Sequence, residues 1–217
     1  MENRNFGFID GFTLKLIAII CMLIDHIGAV IFPDIVFLRI IGRIAFPIFC
    51  FLLVEGFFHT QSHINYFIRL ALFALLSEIP FNLAFYGSLL YPAKQNVFFT
   101  LALGLICLFC LEEMNTNQIF VIPLVLIWIL AYFIHCDYGV AGVILICLFY
   151  MTTEMPPIRL LLSALLLYYF FGTRELYAMI AFIPIALYNG KRGPSVKMFF
   201  YWFYPLHLLI LYALSIL

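Results

Sequence analysis

Apolar residues form long runs along this chain, and short clusters of polar residues, glycine and proline separate one run from the next. A helix needs about 20 apolar residues to cross the hydrocarbon core of a bilayer. We therefore predict an all-α fold, a polytopic integral membrane bundle of about nine transmembrane helices, within a range of roughly eight to ten. The predicted segments cover approximately residues 12–32, 35–57, 64–85, 97–111, 119–134, 139–151, 158–171, 176–188 and 196–217.

The composition supports a location in the membrane. Hydrophobic residues make up 66% of the 217 positions and charged residues 10%, against roughly 45–50% and about 25% in soluble domains. In water such a chain would expose large apolar surfaces, whereas lipid solvates them. The connections are short, the longest at about residues 86–96, so residues 1–217 are predicted to form a single transmembrane domain.

The charged residues predict an orientation and argue against one class of partner. The 11 basic and 11 acidic residues give a net charge of zero, so no basic field indicates binding to nucleic acid. Cytoplasmic loops of membrane proteins are enriched in lysine and arginine. This rule predicts a cytoplasmic N-terminus, with Arg4, Lys15, Arg69, Arg159, Lys191, Arg192 and Lys197 on the cytoplasmic side and Arg39, Lys94 and Arg174 on the other.

Asp25, Arg43, Glu55 and Glu78 are ionisable residues at predicted membrane depth, and all four lie in the first three segments. Each would cost roughly 2.5–3.5 kcal/mol in a bilayer without a partner. Such side chains must therefore face one another or water. Their concentration predicts one functional site, built by the N-terminal helices.

Asp25 and His26 are neighbours in the first segment. Adjacent helical residues point about 100° apart, so the two side chains cannot pair well with each other. We expect Asp25 to hold an arginine of the next helix, and His26 to point into a cavity as a general base. A purely structural clamp between helices is the alternative interpretation.

Arg39 and Arg43 have the i, i+4 spacing that places two side chains on one face of a helix. Two guanidinium groups there could hold a ligand that carries phosphate groups. Gly42 leaves room beside them, and Pro47 removes the donor for the carbonyl of Arg43, which predicts a kink. The alternatives are that Arg39 extends to the membrane edge and that Arg43 pairs with Asp25 or Glu55.

The remaining candidates are polar residues at helix ends or beside prolines. Glu55 and His59 share a face, and a hydrogen-bonded couple at a cavity mouth is expected there rather than a metal pair. No metal site is predicted, and the six cysteines are expected to be free thiols. Helix capping is the expected role of Asp137, at the start of a helix.

Further polar candidate residues lie later in the chain. Glu78 and Asn82 flank Pro80, a pattern typical of a helix that is broken to line a cavity. Gln95 and Asn96 open the fourth segment, where capping alone would explain Asn96. His207 is a lone histidine in an apolar run, and it could simply form a hydrogen bond to another helix.

At these residues the sequence resembles the TraX family, named after the membrane enzyme that acetylates the N-terminus of conjugative F-type pilin. The resemblance spans nearly the full chain, and the combination of motifs in the first hundred residues is specific. The matching stretches are LKLIAIICMLIDHIG, RIIGRIAFPIFCFLLVEGFFHT, RLALFALLSEIPFNLAF, QNVFFTLALG, the DYG of residues 137–139 and YPLHL.

The resemblance implies an acyltransferase of the bacterial inner membrane that uses acetyl-CoA as co-substrate and no metal. The family is distantly similar to the acyltransferase-3 membrane enzymes, in which a histidine of the first helix and nearby arginines serve acyl transfer. Carried over, His26 would be the base, with Asp25, Arg43 and Glu55 as the other catalytic residues. The implied cofactor-binding residues are Arg39, Arg43, His59, Glu78, Asn82, Gln95, Asn96 and His207.

Several features of function stay open at this level. The implied acceptor is an amine or a hydroxyl, on a protein N-terminus such as that of pilin, on a cell-surface glycan or on a lipid. One rival function is a proton-coupled transporter or channel, with a relay of Asp25, Glu55, Glu78 and His207. Another is a non-catalytic assembly or sensor protein, whose polar residues only lock helices together.

Overall fold

Helices dominate the structure, a computed structural model that describes residues 7–217. No β-strand occurs within those residues, which confirms the all-α prediction. Arg4, which entered the orientation argument, lies outside the described residues. The α-helices are α1 Gly11–Val30, α2 Val36–Gly42, α3 Ala45–His59, α4 His63–Tyr86, α5 Val97–Glu113, α6 Val121–Ile134, α7 Gly139–Met151, α8 Pro156–Phe171, α9 Phe182–Ala186 and α10 Lys197–Ser215.

Helix length and surface chemistry fit a membrane protein. Four helical stretches within the described part are long and apolar enough to cross a bilayer: Gly11–Val30, Val36–His59, His63–Tyr86 and Lys197–Ser215. Shorter apolar helices accompany them. Large apolar side chains cover much of the outer surface, as on α8, where Leu161 and Leu165 are exposed. Such a surface is stable in lipid rather than in water.

The second predicted segment is interrupted, as Pro47 indicated. It forms two helices, because α2 ends at Gly42 and α3 begins at Ala45. The carbonyl of Arg43 has no amide donor four residues on, since proline lacks one. A tight turn carries the chain through the break, with the amides of Arg43 and Ile44 donating to carbonyls three residues back. The predicted kink is confirmed.

The eighth predicted segment differs from expectation. In place of a helix over 176–188, the structure has a 3-10 helix, Thr173–Ala181, followed by the five-residue α9. Pro184 has no amide hydrogen for the carbonyl of Ile180, which limits a continuous α-helix there. As a consequence, Glu175 lies on an ordered helical turn and not in the loop that the sequence suggested.

The two ends of the bundle are closed by different connections, and we call the end at which α1 begins the near end. There the amide of Gly11 donates to the carbonyl of Lys191 (2.8 Å), and Ile9 pairs with Tyr188. Asp10 caps α1 by accepting from the amide of Thr13 (2.8 Å), and this hydrogen bond lowers the pKa of the Asp10 carboxyl.

We call the opposite end, where α1 finishes, the far end. The loop before α5 and the loop before α7 meet there, because the amide of Gln95 donates to His135 and the amide of Asp137 donates back to Gln95.

The core lies between helices that are distant in sequence. Helix α1 packs against α2, α3 and α10, and α4 packs against α5 and α10. A second apolar cluster joins α5, α6 and α7 and contains Cys107, Cys110 and Cys147. These cysteines are free thiols and behave there as small apolar side chains. The first and last long helices are therefore neighbours, which determines where their polar residues meet.

Candidate functional site

Four charged side chains form a cluster at the far end: Asp25, Arg39, Arg43 and Glu175. Arg39 donates to the Asp25 carboxylate in a short contact and also to the Asp25 carbonyl (3.1 Å). Arg43 donates to Asp25 Oδ1 (3.3 Å) and to Glu175 Oε1 (2.7 Å). Two carboxylates therefore face two guanidinium groups, and their pairing offsets part of the cost of removing these charges from water.

This cluster, the far-end clamp, joins α1, α2 and the 173–181 turn. A side chain at position 42 would occupy the place of the Asp25 carboxylate, so Gly42 is what allows the two helices to approach. The Nε of Arg43 also donates to the carbonyl of Arg39 (3.2 Å). The expected Asp25–arginine pair is confirmed, whereas the second acid is Glu175 and not Glu55. Glu175 was not among the residues that the sequence pattern indicated.

His26 meets His207 across the α1–α10 interface. His26 Nδ1 lies 2.6 Å from His207 Nε2, and both residues are buried. The two rings are 5° from parallel with centroids 4.9 Å apart. The distance between the ring centres is close to the sum of the nitrogen–nitrogen distance and the two ring radii, so both nitrogens lie on the line that joins the centres. The contact is therefore a hydrogen bond in the plane of the rings and not face-to-face stacking.

Aromatic rings enclose the histidine pair. His26 has Phe85 edge-on at 5.3 Å and Tyr204 edge-on at 6.0 Å between centroids. His207 lies beside Phe203, and its Nδ1 donates to the Phe203 carbonyl (2.7 Å). The pair is therefore held in one orientation by packing and by hydrogen bonds together.

A cavity of about 310 Å³ opens at the near end between α1, α3, α4, α5 and α10. Its walls are mainly apolar, and Tyr204 and Val97 line its inner part. Tyr204 is the ring that packs edge-on against His26, so the cavity approaches the histidine pair through this side chain. The volume is that of a small-molecule pocket.

Four basic side chains line the mouth of this cavity, and we call them the basic rim: Lys15, Arg69, Arg192 and Lys197. They come from α1, α4, the loop before α10 and the start of α10. The guanidinium of Arg69 lies over the Tyr66 ring (5.6 Å), and its Nε is buried without a hydrogen-bond partner among the described residues. These four residues were expected on one side of the membrane, but nothing in their sequence positions indicated a shared site.

Glu55 and His59 also line the cavity mouth, where they were expected, but their side chains are not hydrogen-bonded to each other. The imidazole Nδ1 of His59 donates to the Glu55 carbonyl (2.8 Å) and lies 3.9 Å from the carboxylate. The cavity thus combines four cations with one carboxylate, Glu55. His26 and Arg43 are absent from its lining, so the structure does not bring His26, Arg43 and Glu55 together around one cavity.

Glu78, Asn82, Gln95 and Asn96 were expected to bind the cofactor, but they do not line the cavity. Asn96 caps α5 by accepting from the amide of Phe98 (3.1 Å), and its amide donates to Glu78 (2.7 Å) and to a carbonyl of α4. Gln95 donates to a neighbouring loop carbonyl. Their observed contacts hold α4, α5 and the far-end loops in place.

Asp137 does not cap a helix as expected. It forms an ion pair with Lys94 (3.1 Å), which raises the pKa of that lysine, and Tyr138 precedes α7 with a φ of 59°. Across the described ranges, no group of three His, Cys, Asp or Glu side chains is arranged to hold a metal ion.

Comparison with known proteins places the chain in a family. The model of the TraX protein family matches residues 10–215. The chain is 30% identical to the probable fimbrial assembly protein FimC of Dichelobacter nodosus over 96% of both chains. It is also 28% identical to an uncharacterized protein of Rickettsia prowazekii (strain Madrid E), over 58% of this chain and 49% of the relative. No solved structure matches it. The chain therefore belongs to the TraX family.

Proposed function

We propose that this protein is a membrane acetyltransferase that takes acetyl-CoA into the near-end cavity and transfers the acetyl group at His26. One observation carries the proposal: a single apolar cavity leads from four basic side chains to Tyr204, which packs against His26. Acetyl-CoA has the matching distribution of chemistry, with several phosphate charges at one end, a long neutral arm and a reactive thioester at the other.

The basic rim is suited to the phosphate-bearing end. Arginine and lysine form charge-assisted hydrogen bonds to phosphate groups. We assign the phosphates to the rim and not to Arg39 and Arg43, because the far-end clamp already engages both of those guanidinium groups.

The depth of the cavity is suited to the neutral arm. Lys15 and His26 are eleven positions apart on α1, which is about 16 Å along a helix axis. Lys197 and His207 are ten positions apart on α10, or about 15 Å. Two independent helices thus separate the rim from the histidine pair by a length comparable with an extended pantetheine arm, and the cavity volume leaves the nucleotide part at the mouth.

The chemistry assigned to His26 is general-base catalysis. His26 takes the proton of the acceptor amine or hydroxyl, whose nitrogen or oxygen attacks the thioester carbonyl. The carbon–sulfur bond then breaks, and the CoA thiolate leaves and takes up a proton. Positioned bases contribute typically 10²–10⁴-fold to the rate. Neither serine nor cysteine lines the cavity, which favours direct transfer over an acyl-enzyme.

The proposed topology has nine crossings and a cytoplasmic near end. The longer helices, the α2–α3 pair and the stretch from Thr173 to Ala186 would each cross once. The basic rim would then face the cytoplasm, in agreement with the distribution of lysine and arginine. In a bacterial inner membrane this is the side that supplies acetyl-CoA.

The acceptor is proposed from the relatives. FimC of Dichelobacter nodosus is described as a probable fimbrial assembly protein. An N-terminal amine of a pilus subunit is accordingly the first acceptor to test, and a surface-glycan hydroxyl the second. The four residues of the proton-relay alternative contact different partners and not one another. Asp25 pairs with Arg39, Glu78 with Asn96 and His207 with His26, and the Glu55 carboxylate lies 3.9 Å from His59.

Binding of acetyl-CoA to the purified protein tests the proposal. Isothermal titration in detergent should detect binding to the wild type and to His26→Ala. Arg192→Gln should weaken it by about tenfold to a hundredfold, since a hydrogen bond to a charged group contributes about 1.5–3 kcal/mol. Lys191→Gln is the matched control, because this exposed neighbour does not line the cavity. Absence of binding to the wild type would refute the proposal.

A further inference from the structure

The hydrogen bonds around His207 determine which of its nitrogens carries the proton. Its Nδ1 lies 2.7 Å from the Phe203 carbonyl, one turn earlier on α10. A carbonyl oxygen can only accept, so Nδ1 is the protonated nitrogen of a neutral His207. The other nitrogen, Nε2, therefore has a free electron pair.

The same reasoning extends to His26. Its Nδ1 is 2.6 Å from His207 Nε2, in the plane of both rings. Because His207 Nε2 is the acceptor, His26 Nδ1 must carry the hydrogen. A neutral imidazole has one N–H, so the electron pair of His26 lies on Nε2.

We propose that His207 is a positioning residue that holds His26 in the Nδ1–H tautomer, with Nε2 as the basic nitrogen. This inference rests on the proposed function and adds the residue that prepares the base. The chain of hydrogen bonds runs from His26 through His207 to the Phe203 carbonyl. His207 itself is not placed in contact with the reacting atoms.

The surroundings favour one fixed arrangement. His207 is 5% exposed, and its ring lies 4.9 Å from that of Phe203 at an angle of 18°. His26 has Phe85 and Tyr204 edge-on to its ring. A ring held by packing on several sides and by a hydrogen bond at one nitrogen has little freedom to exchange tautomers, which matters for a base that must accept a proton at one atom.

Nitrogen NMR on the full-length protein in lipid vesicles tests the tautomer directly. With ring-¹⁵N histidine, the His26 signals are those lost in His26→Ala. We expect a protonated Nδ1 and a bare Nε2 on His26, and a scalar coupling across the bond from His26 Nδ1 to His207 Nε2. A protonated Nε2 on His26 would overturn the inference. The measurement needs no turnover, so it stands whether or not acetyl-CoA binds.

Two substitutions separate positioning from packing. In His207→Gln an amide oxygen can take the place of Nε2 as the acceptor, whereas His207→Phe keeps a ring but removes the acceptor. The assay is CoA release from acetyl-CoA in membrane vesicles that contain the protein, with a peptide that has a free N-terminal amine as the acetyl acceptor, measured per mole of folded protein. We expect a loss of about 10²–10⁴-fold in kcat for His207→Phe, an unchanged KM for acetyl-CoA, and substantial recovery in His207→Gln.

Both variants have outcomes that would contradict the inference. Wild-type kcat in His207→Phe would show that His26 needs no partner. An equal loss in His207→Gln and His207→Phe, with the Nδ1–H tautomer of His26 intact in both, would assign the loss to packing. These kinetic outcomes differ from a failure of the proposed function. That failure would be seen as the absence of acetyl-CoA binding to the wild type in the calorimetric experiment.

Discussion

The far-end clamp provides a quantitative test of whether Arg43 is structural. Arg43 donates to Glu175 at 2.7 Å, and their side chains are 19% and 9% exposed. Among the described residues, the second oxygen of Glu175 has no hydrogen-bond partner. Arg43→Met therefore leaves a buried carboxylate without its cation, whereas Asp25 keeps Arg39.

The expected cost follows from the physics of buried ion pairs. Removing one partner of a buried pair destabilises a protein by about 3–5 kcal/mol, because the remaining charge stays desolvated. Replacing both partners with apolar residues of similar volume is often neutral. Arg43→Met should thus lose about 3–5 kcal/mol, and the double variant Arg43→Met/Glu175→Met should be more stable than Arg43→Met alone.

The assay is reversible unfolding in mixed micelles by titration with SDS, followed by tryptophan fluorescence. Arg174→Met is the matched control, since this exposed residue adjoins Glu175 and should change stability by no more than about 0.5 kcal/mol. Wild-type stability in Arg43→Met, or a double variant that loses the sum of both single effects, would refute the structural role. Acetyl-CoA binding should persist in the folded double variant, because Arg43 does not line the cavity.

Two further substitutions test how the helices are held. Gly42→Ala places a methyl group on the Asp25 carboxylate and should cost about 1–3 kcal/mol; an unchanged unfolding curve would contradict the close approach. Asn96→Ala removes a cap and a donor to Glu78, so it should lose more than the roughly 1 kcal/mol of a cap alone. Asn117→Ala, which removes the exposed cap of the 3-10 helix Gln118–Phe120, is the comparison, and equal losses would exclude the Glu78 contribution.

Most of the helices could be predicted from the sequence because long apolar runs, separated by polar residues, glycine and proline, are typical of membrane helices. The break beside Arg43 was predictable as well, since Pro47 removes a specific donor. The region around Glu175 was not. It contains a polar Thr-Arg-Glu stretch and Pro184, and the hydrophobic pattern alone gives no reason for a 3-10 turn to order them.

The candidate site was only partly accessible to sequence reasoning. Adjacent residues on a helix diverge, so the separate partners of Asp25 and His26 were predictable in kind. Their identity was not, because Arg43 and Glu175 are 132 positions apart and His26 and His207 are 181 apart. The sequence offered Asp25 or Glu55 as the acid beside Arg43, and only the packing of the 173–181 turn shows that Glu175 is the second carboxylate there.

The clamp and the cavity have a common element in α1. Asp25 and His26 point about 100° apart on this helix, and Asp25 is tied to α2 through Arg39 and Arg43. Those contacts fix the rotation of α1 about its own axis, and that rotation determines whether His26 faces α10. Asp25 and Arg43 therefore have a structural explanation that needs no part in a reaction, because the far-end clamp sets the direction of His26. Under the proposed function, the donor binds at the basic rim, at the other end of the same helix.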